Sequence, residues 1–420
     1  MEAQVGRSSR GATFSVGFVL LTTVAFADGG YFRETWVWIS LALCSLTWIA
    51  LVLRDKIVIG RLALVGFVAL ASFVGWVALS AAWSPTPETT IEEAERGLIY
   101  VAAILALVLV VDRQALREYF AGIATAVVLV VAYGLAERLL DPVRSDPTQG
   151  TLPNEPFGYA NALGVFAALG LLVAIGLAPS ARSWAGAAAW CTPAIVLIPA
   201  LVWSDSRGAW FALVVGLVVL ALFERDRIVP RARVVPRPLL GAGIGGVAVL
   251  AVAAAAAGRD RPLGPRIDYW TVALDQWREN LWLGSGAGTF ALYWLREESQ
   301  SAVLDAHSLY VETLAEVGPV GLTLLVVALS VPIVAAVRFR EHLLAGAGAA
   351  AYAAYLVHAG LDWDWEMPAV TLAGLLCGVG LLAAGRSEAD EITLGTPGRL
   401  ALALAALGVA GLAVAGGVTH

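Results

Sequence analysis

The segment Phe157–Ala178, FGYANALGVFAALGLLVAIGLA, contains no Asp, Glu, Lys or Arg and decides the fold. The hydrocarbon core of a bilayer is about 30 Å thick and takes roughly 20 apolar residues of helix. This stretch is long enough to cross it. The same reading along the chain gives Gly11–Ala27, Thr35–Leu53, Leu62–Trp83, Gly97–Val111 and Tyr119–Ala136 before it. After it come Ser183–Trp203, Gly208–Phe223, Leu239–Ala257, Val317–Val337, Leu343–Gly360, Met367–Gly385 and Leu400–Val418. Gly97–Val111 and Gly208–Phe223 are short and are expected to borrow flanking residues. Over the 420 residues, 59% are hydrophobic and 14% charged, against about 25% charged in a soluble domain. Mean hydropathy is +0.78. Such a chain cannot cover a water-exposed surface with charge. The expected fold class is all-α: a polytopic membrane helix bundle of about 12–13 transmembrane helices with short surface helices.

One integral membrane domain, residues 1–420, is expected. Residues 258–316 form its long extracytoplasmic loop, with interfacial helices that carry part of the site. Residues 400–418 are an additional C-terminal span. The sequence Val24–Ala27 before Asp28 has the small-residue look of a signal-peptidase site; an uncleaved first helix is the favoured reading. The net charge of −6 leaves no basic surface for nucleic acid. Lys56 is the single lysine among 27 basic residues, a bias of genome composition rather than function. Cys44, Cys191 and Cys377 each lie in an apolar stretch and form no metal or disulfide pattern. No metal and no cofactor are expected.

Lys and Arg set the orientation. With the N-terminus in the cytoplasm, most basic residues fall inside, including Arg54, Lys56, Arg61, Arg113, Arg117, Arg338, Arg340, Arg386 and the run from Arg225 to Arg237. The protein is then a multi-pass plasma (inner) membrane protein. Four polar segments fall on its outside face.

In Trp203-Ser-Asp-Ser-Arg-Gly-Ala209, Arg207 precedes an apolar helix at headgroup level. Its forked donors suit phosphate oxygens; snorkelling to lipid phosphate or pairing with Asp205 is the equally weighted alternative. From Arg266, the spacing of Ile267, Trp270, Leu274 and Trp277 is helical and puts a Trp face in the lipid boundary. That helix should stop near Asn280, before a tight turn at Gly284-Ser-Gly-Ala-Gly288. In Asp305-Ala-His-Ser-Leu-Tyr310, Asp305 is a candidate N-cap. His307 shares a face with Tyr310 and Leu314, while Glu312 and Glu316 point elsewhere. A His in a first helical turn is expected to stay neutral, with its pKa pushed down, as a general base requires. Finally, Tyr355, His358 and Leu361-Asp-Trp-Asp-Trp-Glu-Met-Pro368 read mainly as an interfacial belt. Cation binding by the alternating carboxylates is the weaker alternative.

Together these segments resemble the O-antigen ligase and polymerase family of membrane glycosyltransferases. The resemblance rests on Phe157-Gly-Tyr-Ala-Asn-Ala-Leu-Gly164, Ser204-Asp-Ser-Arg-Gly-Ala209, Arg266 with Trp270 leading to Leu283-Gly-Ser-Gly-Ala-Gly-Thr-Phe290, Ala306-His-Ser-Leu-Tyr310 leading to Glu316-Val-Gly-Pro-Val-Gly321, and His358 with Asp362-Trp-Asp-Trp365. Ser308 follows His307 where the family often has Asn, and Trp282 stands where Pro often precedes the glycine turn. The resemblance implies transfer of a glycan from an undecaprenyl diphosphate carrier at the outer, periplasmic face. The acceptor is a lipid, a protein, a cell-wall polymer or a growing polysaccharide. It implies no metal and no nucleotide sugar. By motif it assigns Arg207 and Arg266 to the diphosphate and His307 to catalysis. Trp270, Tyr310, Asn161 and His358 are further candidate substrate contacts. The alternative is a transporter or flippase, in which ionisable groups sit at the midplane of paired, broken spans. Here they gather at one face.

Overall fold

The computed structural model describes residues 2–143, 145–231, 264–297, 303–386 and 391–418. The expected ninth span, Leu239–Ala257, lies outside the described residues, as does much of the Arg225–Arg237 run. What is described is an all-α bundle. Its helices are α1 (Glu2–Ala25), α2 (Arg33–Leu53), α3 (Arg61–Leu79), α4 (Pro87–Val110), α5 (Leu116–Leu140), α6 (Ala160–Leu177), α7 (Trp184–Ala189), α8 (Ala194–Trp203), α9 (Arg207–Arg231), α10 (Arg266–Glu279), α11 (Phe290–Glu297), α12 (Leu309–Arg338), α13 (Ala345–Ala359), α14 (Pro368–Ala384) and α15 (Thr396–Val418). Eight segments among the described residues are long and apolar enough to cross a membrane.

The Phe157–Ala178 segment becomes α6, the most enclosed of these eight, with 83% of its apolar window buried. It can sit at the centre because it carries no charge and presents small residues to its neighbours. Small residues let helix backbones approach closely, which replaces the hydrophobic effect as the packing force in lipid. Gly164 faces Ser204 and Ser206, and Gly176 lies on the Ala347 backbone. Gly122 of α5 likewise lies on the Phe14 backbone of α1. Leu21 and Ala25 of α1 are buried in the bundle.

Three boundaries differ from the sequence reading. Helix α4 begins at Pro87, well before Gly97, because its charges are paired. Arg33 binds Glu92 and Glu95, each at 2.8 Å, and Arg96 binds Glu93 and Glu366. Ser183–Trp203 is not one helix: it breaks into α7 and α8 around Pro193, whose ring cannot continue a helix. Helix α12 starts at Leu309 and bends at Gly318, which has a φ of +68°. The additional C-terminal span is present as α15, which packs on α2 and α4. Its Gly416 carbonyl accepts from Arg33 Nη2 at 3.3 Å.

A two-stranded antiparallel ladder that the sequence did not signal joins β1 (Val58–Gly60) to β2 (Glu391–Thr393), with Val58 opposite Thr393. It is too short for an alternating pattern. It marks one end of the bundle. There Arg54 donates to Val110 O at 2.9 Å, Arg113 to Arg386 O at 2.7 Å, Arg386 to Val108 O, and Arg399 to Leu51 O at 3.3 Å and to Asp55 O. The helices alternate in direction, so the start of α9, the α10–α11 loop, the start of α12 and the α13–α14 turn all meet at the opposite end.

Candidate functional site

The α13–α14 turn organises that end. Its carboxylates alternate, so each meets a different partner. Asp362 is fully buried. It accepts from Arg266 Nη2 at 2.7 Å, Asn161 Nδ2 at 2.7 Å and Tyr159 Oη at 2.8 Å. Asp364 Oδ2 lies 2.9 Å from His358 Nε2, and Glu366 lies 3.1 Å from Arg96. Burial opposes ionisation of Asp362, but His358, Arg266 and His307 outweigh it and hold the carboxyl below its usual range. Burial pushes the Asp364 carboxyl up, and it raises Glu366 to about 7. The belt reading is therefore replaced: two of these acids are in the interior. Of the two tryptophans, Trp363 stacks at 4.7 Å on Tyr159 and edge-on at 5.6 Å to Tyr31.

Arg266 is the first residue of α10, which ends at Glu279 with Asn280 as its C-cap, as the spacing predicts. Its Nε donates to the Leu361 carbonyl while Nη2 holds Asp362. Two edges of the guanidinium are thus fixed, and Nη1 has no partner among the described residues. The buried positions of α10 are Ala273 and Gln276; Ile267 is exposed, and Trp270 and Trp277 are half-buried, Trp277 packing beside Ala273. The Trp270 Nε1 has no partner among the described residues.

The glycine turn after α10 is a clamp. Gly284, Gly286 and Gly288 have φ values of +70°, +104° and +72°, which glycine adopts without steric cost. Gln276 Nε2 donates to Ser285 Oγ at 2.7 Å and Thr289 Oγ1 at 3.1 Å. Glu316, expected to point away, points into this turn. Its carboxylate accepts from the backbone N–H groups of Gly288 at 2.8 Å, Thr289 at 2.8 Å and Phe290 at 2.9 Å. That caps α11 with a negative charge.

His307 is held by a different device than predicted. Helix α12 begins at Leu309 with Ser308 as its cap residue, so His307 precedes the first turn and Asp305 is no N-cap. His307 has a φ of +52°, a left-handed conformation uncommon for a residue with a side chain. Three contacts maintain it. Asp305 Oδ1 accepts from His307 N at 2.9 Å and lies 2.6 Å from Nδ1, and Glu312 Oε2 accepts from Ala306 N at 2.7 Å. The ring lies 4.9 Å from Tyr269, and its Nε2 has no partner among the described residues. Burial disfavours the imidazolium, but the hydrogen bond and charge of Asp305 outweigh it and hold the His307 pKa above its ordinary value. The expected downward shift is thus reversed. A sequence signal existed: Asp305 stands two residues before His307, within reach of both its N–H and its ring.

Arg207 opens α9. It is half-buried and makes no hydrogen bond or ion pair among the described residues, so the pairing with Asp205 does not occur. Tyr310 donates from its hydroxyl to Leu356 O at 2.8 Å, tying α12 to α13. Asn161 is committed to Asp362, and His358 is 1% exposed. Arg266 and His307 therefore share one electrostatic environment with Asp362 and Asp305. Arg207 reaches it through its neighbour Gly208, against which the His358 ring packs.

Below this end, α3, α4, α12 and α14 line a cavity of about 100 Å³. Its deep walls are apolar, from Leu70, Phe73, Leu325 and Leu329, and Glu93, Arg96, Glu312 and Glu316 line its polar end. None of these four was singled out as functional from the sequence, though Glu93 and Arg96, one helical turn apart, were the available signal.

Among curated proteins none matches the chain. Residues 192–326 match a family model described as O-Antigen ligase. The chain is thus a multi-pass membrane protein similar to the O-antigen ligase family, and the matched segment is the one that holds Arg207, Arg266 and His307.

Proposed function

We propose that the protein is a glycosyltransferase that moves a glycan from undecaprenyl diphosphate to an acceptor hydroxyl at the outer face of the plasma membrane. The observation that carries this reading is the Asp305–His307 pair at 2.6 Å beside Arg266. Asp305 holds Nδ1–H and leaves Nε2 free to take a proton, which is the arrangement of an oriented general base.

The acceptor oxygen attacks the anomeric carbon and its proton passes to His307 Nε2. The bond from that carbon to the diphosphate oxygen breaks, and the electron pair leaves with the diphosphate. Direct displacement inverts the anomeric configuration. Arg207, unpaired among the described residues at a helix N-terminus, and the Nη1 edge of Arg266 stabilise the developing negative charge. The leaving group is already a diphosphate, so neither a metal nor a nucleotide is required by this scheme. Trp270, on the same helix as Arg266, offers a half-buried ring for stacking on a sugar.

The test uses the full-length protein in liposomes with an undecaprenyl-diphosphate-linked glycan and measures release of undecaprenyl diphosphate. Wild type should release it in an acceptor-dependent manner, and His307→Ala should lower the rate by about 10²–10⁴-fold. A transporter would move the intact donor without cleaving it. Equal cleavage by the His307→Ala protein overturns the assignment.

A further inference from the structure

The His358 side chain is buried between Asp364 and the first turn of α9. Its Nε2 lies 2.9 Å from Asp364 Oδ2, and both side chains are 1% exposed. The adjacent Nδ1–Cε1 edge of the ring faces the first turn of α9. A Cβ added at Gly208 would stand 3.1 Å from Cε1 and 3.2 Å from Nδ1. Those distances are tighter than ordinary carbon contacts, so the ring is wedged between Asp364 and the Gly208 backbone. No sugar or phosphate can reach a side chain enclosed in this way.

We infer that His358 and Asp364 are a positioning pair that fixes the first turn of α9, and with it the direction of Arg207. In this reading His358 acts through Gly208 rather than by touching the substrate. The turn that carries Asp362 and Asp364 then aligns both arginines. Asp362 holds Arg266 directly, and Asp364 acts on Arg207 through His358 and Gly208. Glycine at position 208 follows from the same geometry. A glycine inside a helix is normally less favourable than alanine. Here a methyl group would force the ring to shift while its Nε2 is held 2.9 Å from Asp364. This inference rests on the proposed contact between Arg207 and the donor diphosphate.

The experiment is a double-mutant cycle in the full-length protein: Gly208→Ala, His358→Ala and the double variant, with Arg207→Lys alongside. Donor KM, kcat and the thermal midpoint are measured for each. Gly208→Ala should raise the donor KM about tenfold or more, since displacement of a binding group by under 1 Å carries penalties of that order. Its thermal midpoint should change little, because the helix preference of alanine offsets the crowding of the His358 ring. The double variant should be no worse than His358→Ala alone, because the methyl group then has nothing to displace. Additive losses in the cycle, or a wild-type KM in Gly208→Ala, overturn the inference. If Arg207→Lys leaves donor KM and turnover intact, the diphosphate reading itself fails, which is a separate result. Should His358→Ala fail to fold, Asp364→Asn paired with Gly208→Ala reads the same coupling.

Discussion

Glu316→Gln tests the glycine clamp at its centre. The carboxylate serves three backbone donors: Oε1 accepts from Thr289 and Phe290, and Oε2 accepts from Gly288. Glutamine has one oxygen. If that oxygen keeps Thr289 and Phe290, its NH2 group faces the Gly288 N–H, donor against donor. Glu316 is buried and Gly288 partly so, so water replaces the lost acceptor poorly. One charge-assisted bond is lost and one partly buried donor is stranded, which together cost about 2–4 kcal/mol. At about 1.36 kcal/mol per factor of ten, amide exchange at Gly288–Phe290 should accelerate by about 30- to 1000-fold. Gln276 ties this turn to α10, so Arg266 should lose its register and donor turnover should fall as well. The assay is hydrogen exchange by mass spectrometry on the purified protein, with turnover measured in parallel. Exchange within about threefold of wild type, together with normal turnover, would falsify the clamp.

Three further outcomes are expected. Because Asp305 holds the His307 pKa above its ordinary value of 6.5, wild-type transfer should decline on acidification with a midpoint above 6.5; Asp305→Asn should move that midpoint down. The protonated pair should add stability that is fully present below about 6.5 and lost as pH rises through the raised midpoint, so the thermal difference between wild type and Asp305→Asn should shrink from acid to alkaline pH. Arg207→Lys and Arg266→Lys should each lower transfer by about 10²–10³-fold while still folding, since an ammonium lacks the forked donors; normal rates would make these side chains lipid anchors. After Cys191→Ser removes the one exposed cysteine among the described residues, Arg340→Cys and Glu297→Cys should label from opposite sides of the membrane with an impermeant reagent; labelling of both in intact cells refutes the orientation.

The spans were legible in the sequence because a bilayer rewards only one property, an uncharged run of sufficient length. Where that rule failed, tertiary pairing was responsible. Glu92, Glu93, Glu95 and Arg96 end an apolar run by composition but continue α4 in space, because Arg33 and Glu366 arrive from other helices. Arg207, Arg266 and His307 were legible as costly polar groups at one face. Their supports were less so. Asp362 was read as one of three equivalent acids because its three partners, Tyr159, Asn161 and Arg266, come from distant segments. The direction of Glu316 depends on a bend at Gly318 that helical spacing does not encode.

The arginines at the β1–β2 end bear on how the topology can be probed. Arg54, Arg386 and Arg399 donate to carbonyls at the C-terminal ends of α2 and α4, where the helix dipole is negative. They are mortar as well as address labels. Charge-shuffling experiments that neutralise them would loosen the helix ends at the same time as weakening the orientation signal. A null insertion phenotype from such variants would then report on folding rather than on sidedness. Arg61 and Arg117 are the better handles, since both are exposed and neither is bonded to a helix-end carbonyl.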